Sequence, residues 1–178
     1  MSVFSNRTID PPQERAKYAE AVLGLVGGRE PMSVLRDTPD AARRAVDGLT
    51  AQQLRAPEAP GKWSIAQVLQ HLADSDLVWG WRLRLILAQD RPALTGYDQD
   101  LWADRLHYAD ADAAQALEQL RVLRRGNLGL IDRATPQDLK RVGVHSERGE
   151  ESVEYLIGLY AGHDLLHLRQ IARIRASL

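Results

Sequence analysis

The sequence of 178 residues contains no cysteine. This absence excludes disulfide bonds, zinc–thiolate sites and cysteine nucleophiles. Any bound metal must therefore be held by nitrogen and oxygen ligands. Any thiol chemistry must use a thiol that a cosubstrate supplies.

Strong net charge and long apolar runs are also lacking. The formal net charge of -1 gives no electrostatic signature of a nucleic-acid-binding protein. No apolar run approaches the roughly 20 residues that span a membrane, and the N-terminus lacks the pattern of a signal peptide. We therefore expect a cytoplasmic protein that binds neither nucleic acid nor membrane. Clustered arginines, which we interpret as solvated helix faces, are Arg121, Arg124, Arg125, Arg169, Arg173 and Arg175.

Helical apolar periodicity covers most of the chain, and the length suits one domain over residues 1–178 with a flexible tail at 1–10. Long helices are predicted at about 11–27, 65–89 and 112–134, and from Ser152 to near the C-terminus. Thr38-Pro39-Asp40 indicates the start of a further, short helix. No strand alternation is evident. We expect an all-α four-helix bundle in which the connection at 91–110 is long enough to be a functional crossover or lid.

The sequence also predicts where the second helix begins and where two helices pack closely. Ser64 and Gln67 fit the reciprocal cap at the start of the second helix. Gly126 and Gly129 are expected to let a neighbouring helix approach closely.

Two histidines stand one helical turn apart near the C-terminus. His163 and His167 are i and i+4, so they project side by side from a helix face that is otherwise apolar. Two buried imidazoles so close together are costly to protonate together, and a metal would take a neutral nitrogen from each. The alternative is a pair of core histidines satisfied by hydrogen bonds.

A third histidine, His71, follows Val68 by three residues and borders the apolar stripe of the second helix. If it faces His163 and His167, the site has three neutral imidazoles and an open position, which is typical of a catalytic metal site. Zinc or nickel suits these ligands. The open position could hold water or an incoming thiol.

Several motifs resemble those of the DinB-like superfamily. They are Pro60-Gly61-Lys62-Trp63-Ser64, Val68-Leu69-Gln70-His71-Leu72-Ala73-Asp74-Ser75, Gly149-Glu150-Glu151-Ser152-Val153 and His163-Asp164-Leu165-Leu166-His167-Leu168-Arg169-Gln170-Ile171. The tract Arg91-Pro92, Tyr97-Asp98 and Trp102-Ala103 resembles the YfiT and bacillithiol-transferase branch in particular. Together these motifs cover roughly residues 11–175.

This resemblance implies an up-up-down-down four-helix bundle, often a homodimer, with a metal held by His71, His163 and His167. Members of the superfamily include S-transferases that use bacillithiol, mycothiol or glutathione, a thiol-dependent isomerase, and metal-dependent hydrolases.

Other polar and aromatic residues are secondary candidates. Asp74 lies one turn after His71 and could orient it or an incoming group, although a surface aspartate is an equal alternative. His145 could reach the mouth of the site, although a hydrogen-bonding loop residue is the simpler interpretation. His107 is expected to be exposed.

The tryptophans expected in the core or at a dimer contact are Trp63, Trp79, Trp81 and Trp102, of which Trp102 could also line a substrate pocket. Arg82 and Arg84 could pair with a substrate carboxylate, but solvated helix charges are the simpler interpretation.

Three functions fit these residues. The first is a metal-dependent S-transferase in which a low-molecular-weight thiol attacks a small electrophile. The second is a hydrolase using metal-bound hydroxide, with Asp74 or His145 as proton acceptor. The third is a non-catalytic bundle that binds metal or a partner in a stress response.

Overall fold

The computed structural model describes residues 12–178, with side chains from residue 17 onward. The predicted tail at 1–10 lies outside these residues. The α-helices are Pro12–Gly24 (α1), Pro31–Val46 (α2), Ala51–Arg55 (α3), Ile65–Ala88 (α4), Gln99–Arg105 (α5), Ala113–Ile131 (α6), Pro136–Leu139 (α7) and Val153–Ala176 (α8). A 3-10 helix covers Tyr108–Asp110, and the strands are Ala93–Leu94 (β1), Val142–His145 (β2) and Gly149–Ser152 (β3). Within this part of the chain, every helix is too short or too polar to cross a membrane.

The four helices α2, α4, α6 and α8 form the bundle. Helix α4 packs against α6 and α8, and α2 packs against the same two helices, so α2 and α4 face each other diagonally. Helix α1 lies outside this group, against α8. The predicted all-α four-helix bundle is confirmed, but its first member is α2 rather than the helix predicted at 11–27.

Helix α2 begins earlier than the sequence suggested. Glu30 caps it by accepting the backbone amides of Met32 and Ser33, and Pro31 occupies the first turn. Pro39 therefore lies inside the helix, and the prediction of a helix start at Thr38 was wrong. The Thr38 hydroxyl, instead of capping, donates to the carbonyl of Val34 at 2.9 Å.

The start of α4 follows the sequence prediction. Ser64 accepts the amide of Gln67, and the Gln67 side chain accepts the amide of Ser64, which confirms the predicted reciprocal cap. The helix then runs without interruption for 24 residues, long enough to present both His71 and Arg82 to the interior.

A small sheet was missed by the sequence analysis. Strand β1 pairs in parallel with β2, and β2 pairs antiparallel with β3. Strands of two to four residues offer too few positions for a recognisable alternation, which is why the expectation of no strands was wrong. Because β1 lies within the 91–110 connection, this pairing anchors the predicted crossover against the β2–β3 hairpin.

Arg124 joins the bundle at its centre. Its Nε donates to Asp76 on α4 at 2.9 Å, and its Nη1 donates to Asp164 on α8 at 2.6 Å. Burial raises the pKa of Asp76 to about 6, so this carboxylate is still largely ionised at neutral pH. The interpretation of Arg124 as a solvated charge was wrong, because its side chain is only 2% exposed.

The same guanidinium also compensates for the proline in α2. Pro39 has no amide hydrogen to offer the carbonyl of Leu35 four residues earlier. That carbonyl instead accepts a hydrogen bond from Nη1 of Arg124 at 2.8 Å. One buried arginine therefore contacts α2, α4 and α8 from its own position on α6.

Close helix approach occurs at Gly162 and not at the glycines that the sequence suggested. A Cβ added at Gly162 would lie 2.0 Å from the carbonyl oxygen of Val22, which is backbone of α1. A Cβ at Gly126 would meet nothing within 4 Å, and one at Gly129 would meet only the end of Arg133. The expectation for Gly126 and Gly129 was wrong because these positions face outward from the helix contacts.

Replacing Arg124 with methionine should lower the free energy of unfolding by about 3–5 kcal/mol, because two buried carboxylates lose their cation. Urea denaturation followed by circular dichroism measures this. The matched control is Arg125→Met on the exposed neighbouring position, which should change the free energy of unfolding by less than about 0.5 kcal/mol. Equal losses in the two variants would contradict the assignment of Arg124 as the central cation.

Replacing Gly162 with alanine should lower the free energy of unfolding by about 1–3 kcal/mol, because the Val22 carbonyl is backbone and α1 must shift. Gly126→Ala should instead raise it by up to about 1 kcal/mol, because alanine favours an open helix position. Thermal and urea unfolding of the two variants check the contrast. The same sign of change in both would rule out close packing as the reason for Gly162.

Candidate metal centre

Three histidines converge between α4 and α8. The Nε2 atoms of His71 and His163 lie 3.1 Å apart. The ring of His167 completes the group, with its centroid 4.7 Å from that of His71 and 4.4 Å from that of His163. One ligand nitrogen from each ring lies within 4.8 Å of the other two. The structure thus brings together all three histidines that the sequence singled out.

Burial keeps these imidazoles neutral. Desolvation holds the pKa of His71 and of His163 well below the ordinary value, and the neighbouring imidazoles lower both pKa values further. Desolvation also lowers the pKa of His167 to about 4. At neutral pH each ring therefore has an unprotonated nitrogen with a lone pair to offer.

Hydrogen bonds fix one of the three rings firmly. Nδ1 of His167 lies 2.9 Å from Oε1 of Gln170, and because that oxygen only accepts, Nδ1 is the donor and Nε2 keeps the lone pair. The Nε2 of His71 also has the Ser75 hydroxyl at 3.4 Å. The Nδ1 atoms of His71 and His163 are buried, and neither has a hydrogen-bond partner among the residues that the structure describes.

This arrangement fits a small divalent cation. Two nitrogens each about 2.0–2.1 Å from a tetrahedral zinc stand roughly 3.3 Å apart, close to the observed Nε2 separation. The Gln170 contact is the outer hydrogen bond that metal-binding histidines use to set their tautomer. Imidazole suits zinc and nickel alike, so the ligand set favours these metals without deciding between them.

A cavity opens beside the histidines. Its volume is about 60 Å³, and its wall includes His71, Ser75 and Arg82 from α4. Helix α8 contributes Tyr160 and His163. The remaining wall comes from α1, from the connection between β1 and α5 that carries Tyr97, and from the β2–β3 hairpin that carries His145, Glu147 and Arg148. Tyr97 approaches the ligands through Ser75, whose hydroxyl lies 3.0 Å from the Tyr97 hydroxyl.

The two secondary candidates occupy different places. Asp74 is buried and accepts hydrogen bonds from Tyr108, Gln70 and Gln119, and its carboxylate does not bond to Nδ1 of His71, which has no partner within the described ranges. His145 is buried in β2 at the cavity wall, where Nδ1 accepts the amide of Glu147 and Nε2 lies 3.2 Å from Nη2 of Arg82. Their predicted roles as orienting group and proton acceptor stay predictions.

The predicted arginine and tryptophan candidates differ in how exposed they are. Arg82 is only 5% exposed, so its interpretation as a solvated charge was wrong, while Arg84 and His107 are exposed as expected. Trp63 and Trp79 are buried, and Trp81 is 61% exposed. Trp102 packs against Tyr97, with ring centroids 4.5 Å apart.

Four residues of the centre were not recognised as functional from the sequence. Gln170 follows His167 by three positions, and this spacing alone could have identified it as a neighbour on the helix surface. Ser75 follows His71 by four positions and could have been found in the same way. Tyr97 and Glu147 reach the cavity only through the pairing of β1 with β2, which no short-range pattern indicates.

Comparison with known proteins places this chain in a family. "Putative metal-dependent hydrolase YfiT" of Bacillus subtilis is 31% identical over 144 residues, 80% of this chain and 81% of that protein. A relative with the same description from Oceanobacillus iheyensis is 30% identical and covers 79% and 81%. The solved structure of Bacillus subtilis YfiT, described as an unusual four-helix bundle, matches with a TM-score of 0.77 at 26% identity over 98% of this chain and 93% of that one. The family model of the DinB superfamily matches residues 35–171, and the chain belongs to that superfamily.

Proposed function

We propose that this protein is a metal-dependent S-transferase that joins a low-molecular-weight thiol to a small electrophile, with zinc or nickel held by His71, His163 and His167. The observation that carries the proposal is the convergence of three neutral imidazoles, two of which, His71 and His163, line an open cavity. A divalent cation held there supplies the charge that lowers the pKa of a thiol or of water brought to it.

The hydroxyl groups beside the ligands suit a thiol reaction. Burial raises the pKa of Tyr97 well above the ordinary value, so its hydroxyl stays protonated. Ser75 and Tyr97 are thus neutral groups that can orient a bound thiol or electrophile by hydrogen bonding. In the described part of the chain, the hydrogen bonds of the three rings go to Ser75, Gln170 and each other, and none goes to a carboxylate.

Hydrolysis is a second candidate, favoured by Glu147. Its carboxylate lines the same cavity and is partly exposed, so it can accept a proton from water. The nearby Asp76 and Asp164 are committed to Arg124, and Asp74 is committed to Tyr108. The names of the relatives also describe hydrolases.

The homodimer predicted from the family resemblance stays a prediction. Leu77 and Trp81 stand one turn apart on α4 and are 49% and 61% exposed. The cytoplasmic location likewise stays a prediction.

Elemental analysis of untagged protein should find about one zinc or nickel per chain. The His163→Ala variant should lose this metal, because the cation loses one of three nitrogen ligands. His107→Asn is the matched control, since His107 is exposed and asparagine tolerates its positive φ of 54°. Circular dichroism verifies that each variant is folded.

Removing the hydrogen bond between Gln170 and His167 tests whether this contact supports metal binding. Gln170→Leu should weaken metal affinity by about 10-fold to 100-fold, measured by competition with a chelator. Full metal content in folded His163→Ala protein, or undiminished affinity in Gln170→Leu protein, would contradict the proposed ligand set.

Turnover assays should separate the two enzymatic functions. We expect the metal-loaded protein to conjugate bacillithiol, mycothiol or glutathione to monochlorobimane. Glu147→Gln should change this rate by less than about threefold, because a metal-activated thiol needs no carboxylate base. Hydrolysis of p-nitrophenyl acetate through Glu147 would instead fall by about 100-fold or more in that variant.

Two results would contradict the transferase assignment. Thiol-independent ester hydrolysis that requires Glu147, without conjugation of any thiol, would identify a hydrolase. Tight metal binding without either activity would identify a binding protein.

A further inference from the structure

Arg82 is a buried cation without a carboxylate partner among residues 17–178. Its Nη2 donates to the carbonyl of Thr95 at 2.7 Å, and its Nη1 donates to the hydroxyl of Tyr160 at 3.3 Å. Nη2 also lies 3.2 Å from Nε2 of His145. All three neighbours are uncharged oxygens or an imidazole, and the Nε of Arg82 is buried with no hydrogen-bond partner.

Two other arginines with little solvent exposure show what Arg82 lacks. Arg124 faces the carboxylates of Asp76 and Asp164. Arg148, which shares the cavity wall with Arg82, pairs with the buried carboxylate of Glu151. A guanidinium that is 5% exposed loses most of its hydration, and only an anion compensates that loss fully.

The surroundings of Arg82 are suited to such an anion. Tyr160 accepts a hydrogen bond from Arg82, which leaves the proton of its own hydroxyl available for donation into the cavity that both residues line. Burial raises the pKa of Tyr160 above the ordinary value, so that proton is retained at neutral pH. The carboxylate of Glu147 lines the same cavity but is partly exposed to solvent, whereas the guanidinium of Arg82 is buried.

The shape of the guanidinium indicates the class of anion. The planar guanidinium of Arg82 presents its N–H groups in a fixed fork, which matches the two oxygens of a planar carboxylate. The cavity of about 60 Å³ opens beside this group.

We propose that Arg82 and Tyr160 form a carboxylate-binding subsite in the wall of the cavity, and that the substrate brought to the three histidines carries a carboxylate group. The identification of this ligand as a substrate rests on the proposed function. Binding of the carboxylate itself requires no metal.

Metal-stripped full-length protein allows the subsite to be tested apart from the metal centre. Acetate and acetamide have nearly the same shape and differ in charge, so the pair reports on recognition of the anion. The readout is the ¹H–¹⁵N resonance of the Arg82 guanidinium, assigned by its disappearance in Arg82→Lys. A purely structural role for Arg82 would leave this resonance unmoved by acetate.

We expect acetate to shift the Arg82 resonance saturably and acetamide to leave it unchanged. Arg82→Gln should weaken acetate binding by about tenfold or more, since a charge-assisted hydrogen bond is lost. Arg84→Gln is the matched control, two positions along the same helix and exposed, and should bind acetate as the unmodified protein does. If Arg82→Gln fails to fold, the guanidinium titration of the unmodified protein decides.

Three results would overturn the proposal. The first is an Arg82 resonance that acetate does not shift. The second is equal affinity for acetate in folded Arg82→Gln and unmodified protein. The third is tighter binding of inorganic phosphate than of acetate at Arg82, which would exclude the carboxylate class. Because the protein is stripped of metal, none of these results depends on whether the three histidines hold a cation.

Discussion

Arg124 on α6 joins α4 and α8 through two buried ion pairs at the centre of the bundle. The two carboxylates that hold this guanidinium, Asp76 and Asp164, are neighbours in sequence of Ser75 and His163. A helix turns adjacent residues to different faces, so each aspartate that points to Arg124 leaves its neighbour directed towards the cavity. The central ion pairs thus set the rotation of α4 and α8 about their axes, and with it the convergence of the histidines.

The two buried arginines, Arg124 and Arg82, have different partners and therefore different roles. Arg124 is neutralised by the carboxylates of Asp76 and Asp164. It also donates a hydrogen bond to the Leu35 carbonyl, for which Pro39 has no amide hydrogen. Among the described residues, Arg82 contacts the Thr95 carbonyl, the Tyr160 hydroxyl and the His145 imidazole and no carboxylate, and it lines the cavity beside the histidines. Since both guanidinium groups are buried, the difference in their partners assigns Arg124 to the fold and leaves Arg82 for a ligand.

Helical periodicity predicted the parts of the molecule that depend on one helix face. The spacing of His163 and His167 and the place of His71 beside an apolar stripe identified the three rings, and the Ser64 cap located the start of α4. The buried arginines were misjudged although each stands on an apolar stripe, because their carboxylate or cavity neighbours come from distant segments of the chain. The β1–β2 pairing, which brings Tyr97 to the cavity, joins segments about 50 residues apart and has no local signal.

Anomalous diffraction from crystals of the zinc-loaded or nickel-loaded protein would locate the metal without reference to any activity. We expect one strong anomalous peak at the absorption edge of the metal, in contact with the Nε2 atoms of His71, His163 and His167. A peak at other residues, or no peak between these rings when the metal is in excess, would contradict this expectation. The three histidines would then be core residues, and the cavity beside them would need a different chemistry.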